Sequence, residues 1–170
     1  MTLRAGVPDL GGGQASVLAQ IVAEELGLDI TDVQPFIMDT HLTPLCGTTT
    51  ATRQLYMSGN ATLKCVGELK ARILAKASEL LGYPVSNLAL GDHKVYLVNN
   101  PAINIPFVKV VGHLSNDGGE LELISQFNAP FTEVPDLADI KGQVNPDLTY
   151  TCHGVELAVD EETGVFEILR

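Results

Sequence analysis

Leu55, Gly59, Leu63, Val66, Leu69, Ile73, Ala77 and Leu80 recur at three- and four-residue spacing. An apolar stripe kept up for about seven turns commits this part of the chain to one long helix with a single buried face. Gly82 and Pro84 follow in the order that ends a helix. Gly59 stands inside that stripe at a cost of about 1 kcal/mol relative to alanine, and the expected reason is close approach of another backbone or a ligand. A second helical stripe, Val17, Leu18, Ile21, Val22 and Leu26, predicts a helix over residues 14–26, stopped by Gly27. Glu24 and Glu25 fall off it as a solvated face.

Strands are expected elsewhere. Residues 2–7 and 33–38 flank the first helix, the latter despite Pro35. In the second half, residues 94–98, 107–111, 120–125, 154–159 and 165–169 are β-branched or alternating runs. Leu121 and Leu123 alternate with Glu120 and Glu122 as in a sheet with one wet face, and residues 160–164 read as a hairpin loop. Residues 127–149, with Pro130, Pro135 and Pro146, show little periodicity, as a functional or covered loop would. The expected fold class is α+β: two long helices on a mixed or antiparallel sheet, with incomplete sheet edges completed by partner chains. Residues 1–85 would form a lobe with two helices and residues 86–170 a mainly stranded lobe with the long loop. Both ends of the chain read as cut from a larger sheet.

At 170 residues the chain can hold one domain or two small lobes. A net charge of −11, with ten basic residues scattered along the chain, argues against nucleic acid. Cys46, Cys65 and Cys152 have no CxxC spacing, which fits a reducing compartment. No run approaches the roughly 18 apolar residues of a membrane helix, and residues 1–6 lack a signal-peptide core. The expectation is a soluble, cytoplasmic protein.

Two donor-rich segments are the candidate site. Gly11, Gly12 and Gly13 let the backbone turn sharply before the helix that begins at Gln14, where amides and the positive dipole end converge. Gly47, Thr48, Thr49, Thr50, Ala51, Thr52 and Arg53 repeat the arrangement with hydroxyls and a guanidinium at the start of the long helix. Arg53 there opposes the dipole unless an anion offsets it. Two readings stand side by side: the glycines are a tight turn and the threonines are helix caps, or the segments share a phosphorylated or polar ligand. Asp39 is expected to cap the turn it sits in, and Cys46 to be a small buried residue. HExxH, GxSxG and the Lys-Ser/Thr of a P-loop are missing, and His41, His93, His113 and His153 lack ligand spacing. No catalytic residue and no metal ligand is therefore expected in the chain itself.

The run VPDLGGGQASVLAQIVAEELGLDITDVQPFIMDT, followed by PLCGTTTATRQLYMSGNATLKCVGELKARIL, resembles the molybdenum hydroxylases, the xanthine dehydrogenase and aldehyde oxidase family, in the second half of their molybdopterin-binding subunit. The ending GVELAVDEETGVFEIL is similar to that family's VEVDxxTGxVxVL. In the family the glycine turn reads GQG and, with the threonine/serine loop, contacts the pyranopterin and its phosphate tail. By position GQG falls on Gly11, Gly12 and Gly13, so Gly12 replaces the family's glutamine and Gln14 lies two places on. The resemblance implies cofactor contacts from Gly12, Gly13, Gln14, Thr49, Thr50, Ala51, Thr52 and Arg53. It also implies a molybdopterin, in a dinucleotide form such as the cytosine dinucleotide, shared with partner chains. The catalytic glutamate, the remaining molybdopterin-binding part, the iron-sulfur clusters and FAD would lie on other subunits. The implied function is a small subunit or segment of a heteromeric enzyme that hydroxylates an aromatic heterocycle or aldehyde. A non-enzymatic phosphate- or nucleotide-binding module and an inactive gene fragment are the alternatives.

Overall fold

The computed structural model of the chain describes residues 1–119, 121–130, 138 and 152–170. They fall in two compact units, Met1–Pro130 and Phe131–Arg170.

The first unit opens with strand β1 (Thr2–Ala5), helix α1 (Gln14–Leu26), strand β2 (Gln34–Ile37) and helix α2 (Arg53–Leu81). β1 and β2 pair in parallel, Thr2 opposite Gln34 and Ala5 opposite Ile37. Pro35 is accommodated because each strand of a two-stranded sheet is an edge. Both helices end as the sequence predicts, on Gly27 and Gly82 in the left-handed conformation. Leu18, Ala19, Val22, Ala23 and Leu26 of α1 are buried, and Val66, Ile73 and Ala77 of α2 join the same core. The N-terminal half of α2 instead buries Gly59, Gln54 and Thr62, leaving Leu55 and Leu63 exposed. Gly59 is not the site of a backbone contact: a Cβ there would meet Ile21 Cδ1 at 3.6 Å, an ordinary side-chain distance.

The chain continues into an antiparallel sheet, β3 (Leu88–Gly91), β4 (Lys94–Leu97) and β5 (Asn100–Pro106), followed by helix α3 (Phe107–Asn116). Two sequence expectations fail here. Residues 107–111 are helix, not strand, because Phe107, Val110, Val111 and Leu114 form a helical stripe whose Phe107 and Val110 are buried, with Pro106 at the N-cap. Residues 121–125 make no strand either. Their segment lies against α2, where Cys65 Sγ donates to the Leu123 carbonyl and Lys64 Nζ to the Gln126 carbonyl, each at 3.4 Å. The alternation of leucine and glutamate there marks no sheet face, since Leu121 is exposed, and Glu120 lies outside the described residues.

In the second unit, β6 (Leu157–Val159) and β7 (Phe166–Ile168) form the expected hairpin. Asp160 Oδ1 accepts the Glu162 and Thr163 amides, each at 2.9 Å, and Gly164 takes the positive φ that closes the turn. Leu157, Val159, Phe166 and Ile168 are all exposed. Of the long irregular stretch expected over residues 127–149, residues 127–130 and 138 are described, and the rest lies outside the described residues.

Candidate functional site

The parallel pairing of β1 and β2 sends the chain out of the same end of both strands. The glycine turn leaves β1 there and the threonine loop leaves β2. In open α/β units this is the side on which ligands bind. The helices agree: Ile21 of α1 meets Gly59 of α2, and further along Glu25 Oε2 pairs with Lys70 Nζ at 3.1 Å. Residue numbers therefore rise together along the two axes, and both N-termini lie at one end of the pair. The loops also touch at Gly6, whose carbonyl accepts from Cys46 Sγ at 2.7 Å. A side chain at Gly6 would strike the Pro44 carbonyl, so glycine is required where the second loop crosses the first.

The glycine turn is built around a carboxylate. Asp9 Oδ1 accepts the amides of Gly11 at 3.0 Å and Gly13 at 3.2 Å, so the nest expected to hold an external anion already holds an internal one. Gly11 and Gly13 adopt φ of 98° and 73°, which only glycine takes without strain. Gly13 is the N-cap of α1 and offers no side chain, and no acidic residue stands in the first turn. The amides of that turn point along the positive dipole end as every uncapped helix start leaves them. Gln14 folds back over Gly12, and its Oε1 is buried without a hydrogen-bond partner among the described residues.

The threonine loop is held from inside. Thr49 Oγ1 donates to Gln54 Oε1 at 3.0 Å, and Gln54 Nε2 donates to Ser58 Oγ at 2.6 Å, with Gln54 wholly buried. Arg53 reaches back to donate to the Thr48 carbonyl at 2.6 Å. Its guanidinium clasps the loop, which answers in part why a cation is tolerated at this helix start. Thr52 is the N-cap, with no side-chain capping bond, and no acidic residue follows in the first turn of α2. Thr48, Thr49 and Thr50 do not occupy the cap position. Ala51 takes φ of 42°, a left-handed conformation that larger or branched residues resist, so the smallest chiral side chain lies at the strained point. Asp39 caps its own turn, accepting the His41 and Leu42 amides at 2.8 Å each.

The sequence singles out neither Asp9 nor Gln54, the two residues that hold the loops, nor does it bring together Asp29, Asp32 and His93, which meet at the other end of α1. The last three lie with their ligand-type atoms within 4.8 Å of one another. His93 Nε2 is 2.6 Å from Asp32 Oδ2 and 3.7 Å from Asp29 Oδ2, so the trio satisfies itself as a salt bridge between the β3–β4 turn and the α1–β2 connection. The hydrogen bond to Asp32 raises the His93 pKa and correspondingly lowers that of Asp32. No helix among the described residues is long and apolar enough to cross a membrane.

The molybdopterin cofactor-binding domain model matches residues 1–170. A nicotinate dehydrogenase subunit from Pseudomonas putida is 31% identical over 151 residues, covering 85% of this chain and 12% of that protein. The putative xanthine dehydrogenase molybdenum-binding subunit of Escherichia coli K12 is 28% identical over 165 residues, covering 94% of this chain and 20% of that one. Among solved structures, quinoline 2-oxidoreductase from Pseudomonas putida 86 superposes with a TM-score of 0.60 at 23% identity, over 74% of this chain and 16% of that chain. The chain thus spans a fifth or less of the length of these proteins.

Proposed function

The chain belongs to the molybdopterin cofactor-binding domain family, and from that premise we propose that its glycine turn and threonine loop form one wall of a molybdenum-cofactor site. The observation that carries this reading is the convergence of two helix starts, both without side-chain caps or first-turn acids, at the same end of β1 and β2. The residues fit the group. Gly12, Gly13 and Ala51 keep bulk away from a metal-dithiolene unit, Gln14 brings an amide whose oxygen has no partner, and Thr49, Thr50, Thr52 and Arg53 bring hydroxyls and a cation. The first-turn amides of α2, where no acidic residue stands, suit the phosphates of a dinucleotide form such as the cytosine dinucleotide. The cofactor, when bound, supplies the redox centre for hydroxylating an aromatic heterocycle or aldehyde with water-derived oxygen. This chain's own part is to hold and orient that group and to exclude bulk from it.

The remaining molybdopterin-binding part, an iron-sulfur subunit and a FAD subunit are the proposed partners. Exposed Leu157, Val159, Phe166 and Ile168 on the β6–β7 hairpin, with two of the sheets among the described residues made of two strands each, support burial against such chains. Residues 1–85 would supply the cofactor-binding lobe and residues 86–170 a mainly stranded lobe with a long irregular loop, together one fragment of the molybdopterin-binding domain. A cytoplasmic location accords with the unpaired state of Cys46, Cys65 and Cys152. The phosphate- or nucleotide-module alternative loses ground because Asp9 fills the glycine nest with negative charge. Affinity isolation of the tagged full chain from its native cells, with molybdenum and pterin quantified, tests the proposal. Recovery in a larger complex containing both is expected; a monomer free of molybdenum overturns it.

A further inference from the structure

Residues 121–130 keep the shape of a strand without belonging to a sheet. Three contacts fix their course along α2: Cys65 Sγ donates to the Leu123 carbonyl and Lys64 Nζ to the Gln126 carbonyl, each at 3.4 Å, and the Phe127 ring meets Tyr56 edge-on at 5.6 Å. From Cys65 back to Tyr56 the helix covers about 13 Å, at roughly 1.5 Å per residue. Leu123 to Phe127 covers that length only at the full extension of a β-strand, about 3.3 Å per residue. Burial alternates accordingly: Leu123, Ser125, Phe127 and Ala129 are half-buried, whereas Glu122, Ile124, Gln126 and Asn128 are exposed. Arg4 Nη1 ties down the near end through Glu122 Oε1 at 3.1 Å. The backbone of this segment, by contrast, is unused. No amide from Leu121 to Ala129 donates to another described residue, and its carbonyls other than those of Leu123 and Gln126 accept from none. Native proteins pair or cover extended edges, or blunt them with charge, proline or bulges. Charge and proline fall here at the two ends, Glu122 and Pro130, and Ile124 stands between them 81% exposed.

We propose that residues 121–130 are a docking edge, held in strand form by α2, onto which an extended segment of a different chain adds as a β-strand. A row of free amides and carbonyls at strand spacing is matched by another row of the same kind, so the occupant is extended polypeptide rather than a helix or a small ligand. Because α2 already holds the segment straight, little ordering is left for the moment of binding. A second copy of this chain is disfavoured as the occupant, since each copy carries a net charge of −11 and the two repel. The relatives hold this domain inside much longer chains, of which it is a fifth or less, so further polypeptide is at hand to pack on it there. Tyr56 lies in the first turn of α2, and the added strand therefore runs up to the helix start that the threonine loop opens. None of this depends on what the glycine turn and the threonine loop bind.

Hydrogen exchange at single-residue resolution tests this, on the tagged full chain alone and on the complex isolated with it from its native cells. Strand pairing along one edge engages every second amide. The expected result is protection that alternates between Leu121 and Ala129 in the complex, with the engaged amides slowed about a hundredfold, and no protection there in the chain alone. Ile124→Pro and Ser125→Pro each remove one amide, on opposite edges. The proline that falls on the protected set should lower recovery of the complex about tenfold, and the other should leave it near wild type. Thermal midpoints of the uncomplexed variants check that they fold, and exchange in the wild type decides the matter where one does not. A complex in which these amides exchange freely, or are protected without alternation, overturns the proposal and leaves the cofactor reading standing. Alternating protection in a dimer of this chain alone makes a second copy the occupant and also overturns it. Recovery as a monomer overturns both, whereas alternating protection in a complex free of molybdenum and pterin overturns the cofactor reading alone.

Discussion

The glycine turn and the threonine loop occupy equivalent places, each following a strand of the parallel pair and each opening a helix without a side-chain cap. They are made rigid by opposite means. The turn is fixed by backbone conformation and a local carboxylate: two glycines at positive φ and Asp9 four residues or fewer away. The loop is fixed by side chains reaching across it: Arg53 to Thr48, Thr49 to Gln54, and Gln54 onward to Ser58 within α2. A turn built from backbone has its Gly11 and Gly13 amides occupied by Asp9, and the polar side chain that lies over it is Gln14. A loop built from side chains has part of its polar complement occupied, and it offers hydroxyls, helix amides and the small Ala51.

The sharpest test of this contrast is Gln54→Ala. It empties a wholly buried position and strands the Thr49 hydroxyl, so a loss of about 2–4 kcal/mol is expected in urea unfolding, with faster hydrogen exchange in the threonine loop and little change in the glycine turn. If both loops loosen together, they are one structural unit and the contrast fails. Gly13→Ala attacks the turn, forcing a side chain into φ of 73° at an expected cost of about 1–2 kcal/mol. Asp9→Ala should cost a similar amount by freeing two amides, about 1–2 kcal/mol, and should leave the threonine loop's exchange rates unchanged. Gly59→Ala, in α2 where it meets α1, should stabilise by about 1 kcal/mol, since the added Cβ finds Ile21 at contact distance and no backbone in the way.

The smallest effect concerns the Asp32–His93 pair, which braces the far end of α1. His93 has a raised pKa, so its contribution is fully present below the unfolded value of about 6.5 and fades as pH rises through the folded one. Asp32 has a lowered pKa, so its contribution is present above about 3.9 and fades as pH falls through its folded value. The pair therefore favours the folded state most between about pH 4 and 6.5. Thermal midpoints of the His93→Gln protein should lie below wild type in that window and approach it as pH rises through the raised His93 value; a constant offset at all pH values refutes the pairing as a titrating contact.

The first half of the fold was legible because its elements are long or sharply punctuated. The 13-residue α1 and the 29-residue α2 repeat their apolar spacing often enough to fix type and extent, and Gly27 and Gly82 mark their ends. The second half was not, because its segments are short. Five residues beginning Phe107-Val108-Lys109 satisfy a strand pattern, and only extension to Leu114 reveals the helical one. Leu121 and Leu123 alternate with glutamates, yet residues 121–125 meet α2 through the Leu123 carbonyl and leave Leu121 exposed rather than pairing as a strand. Strands β3 and β5 had no signal of their own beyond residues that pair with β4.

The same division runs through the site. The sequence determined where the chain turns and what it can offer there: three consecutive glycines, a small-and-hydroxyl run with Ala51, and helices that begin immediately after each, all consequences of local conformation and spacing. The tertiary structure decided which groups remain to be offered. Asp9 filling the glycine nest, Gln54 burying itself beneath Thr49, and Gln14 folding into the space above Gly12 depend on how side chains pack once β1 and β2 lie parallel, and no pattern along the chain encodes which polar atom will be left without a partner.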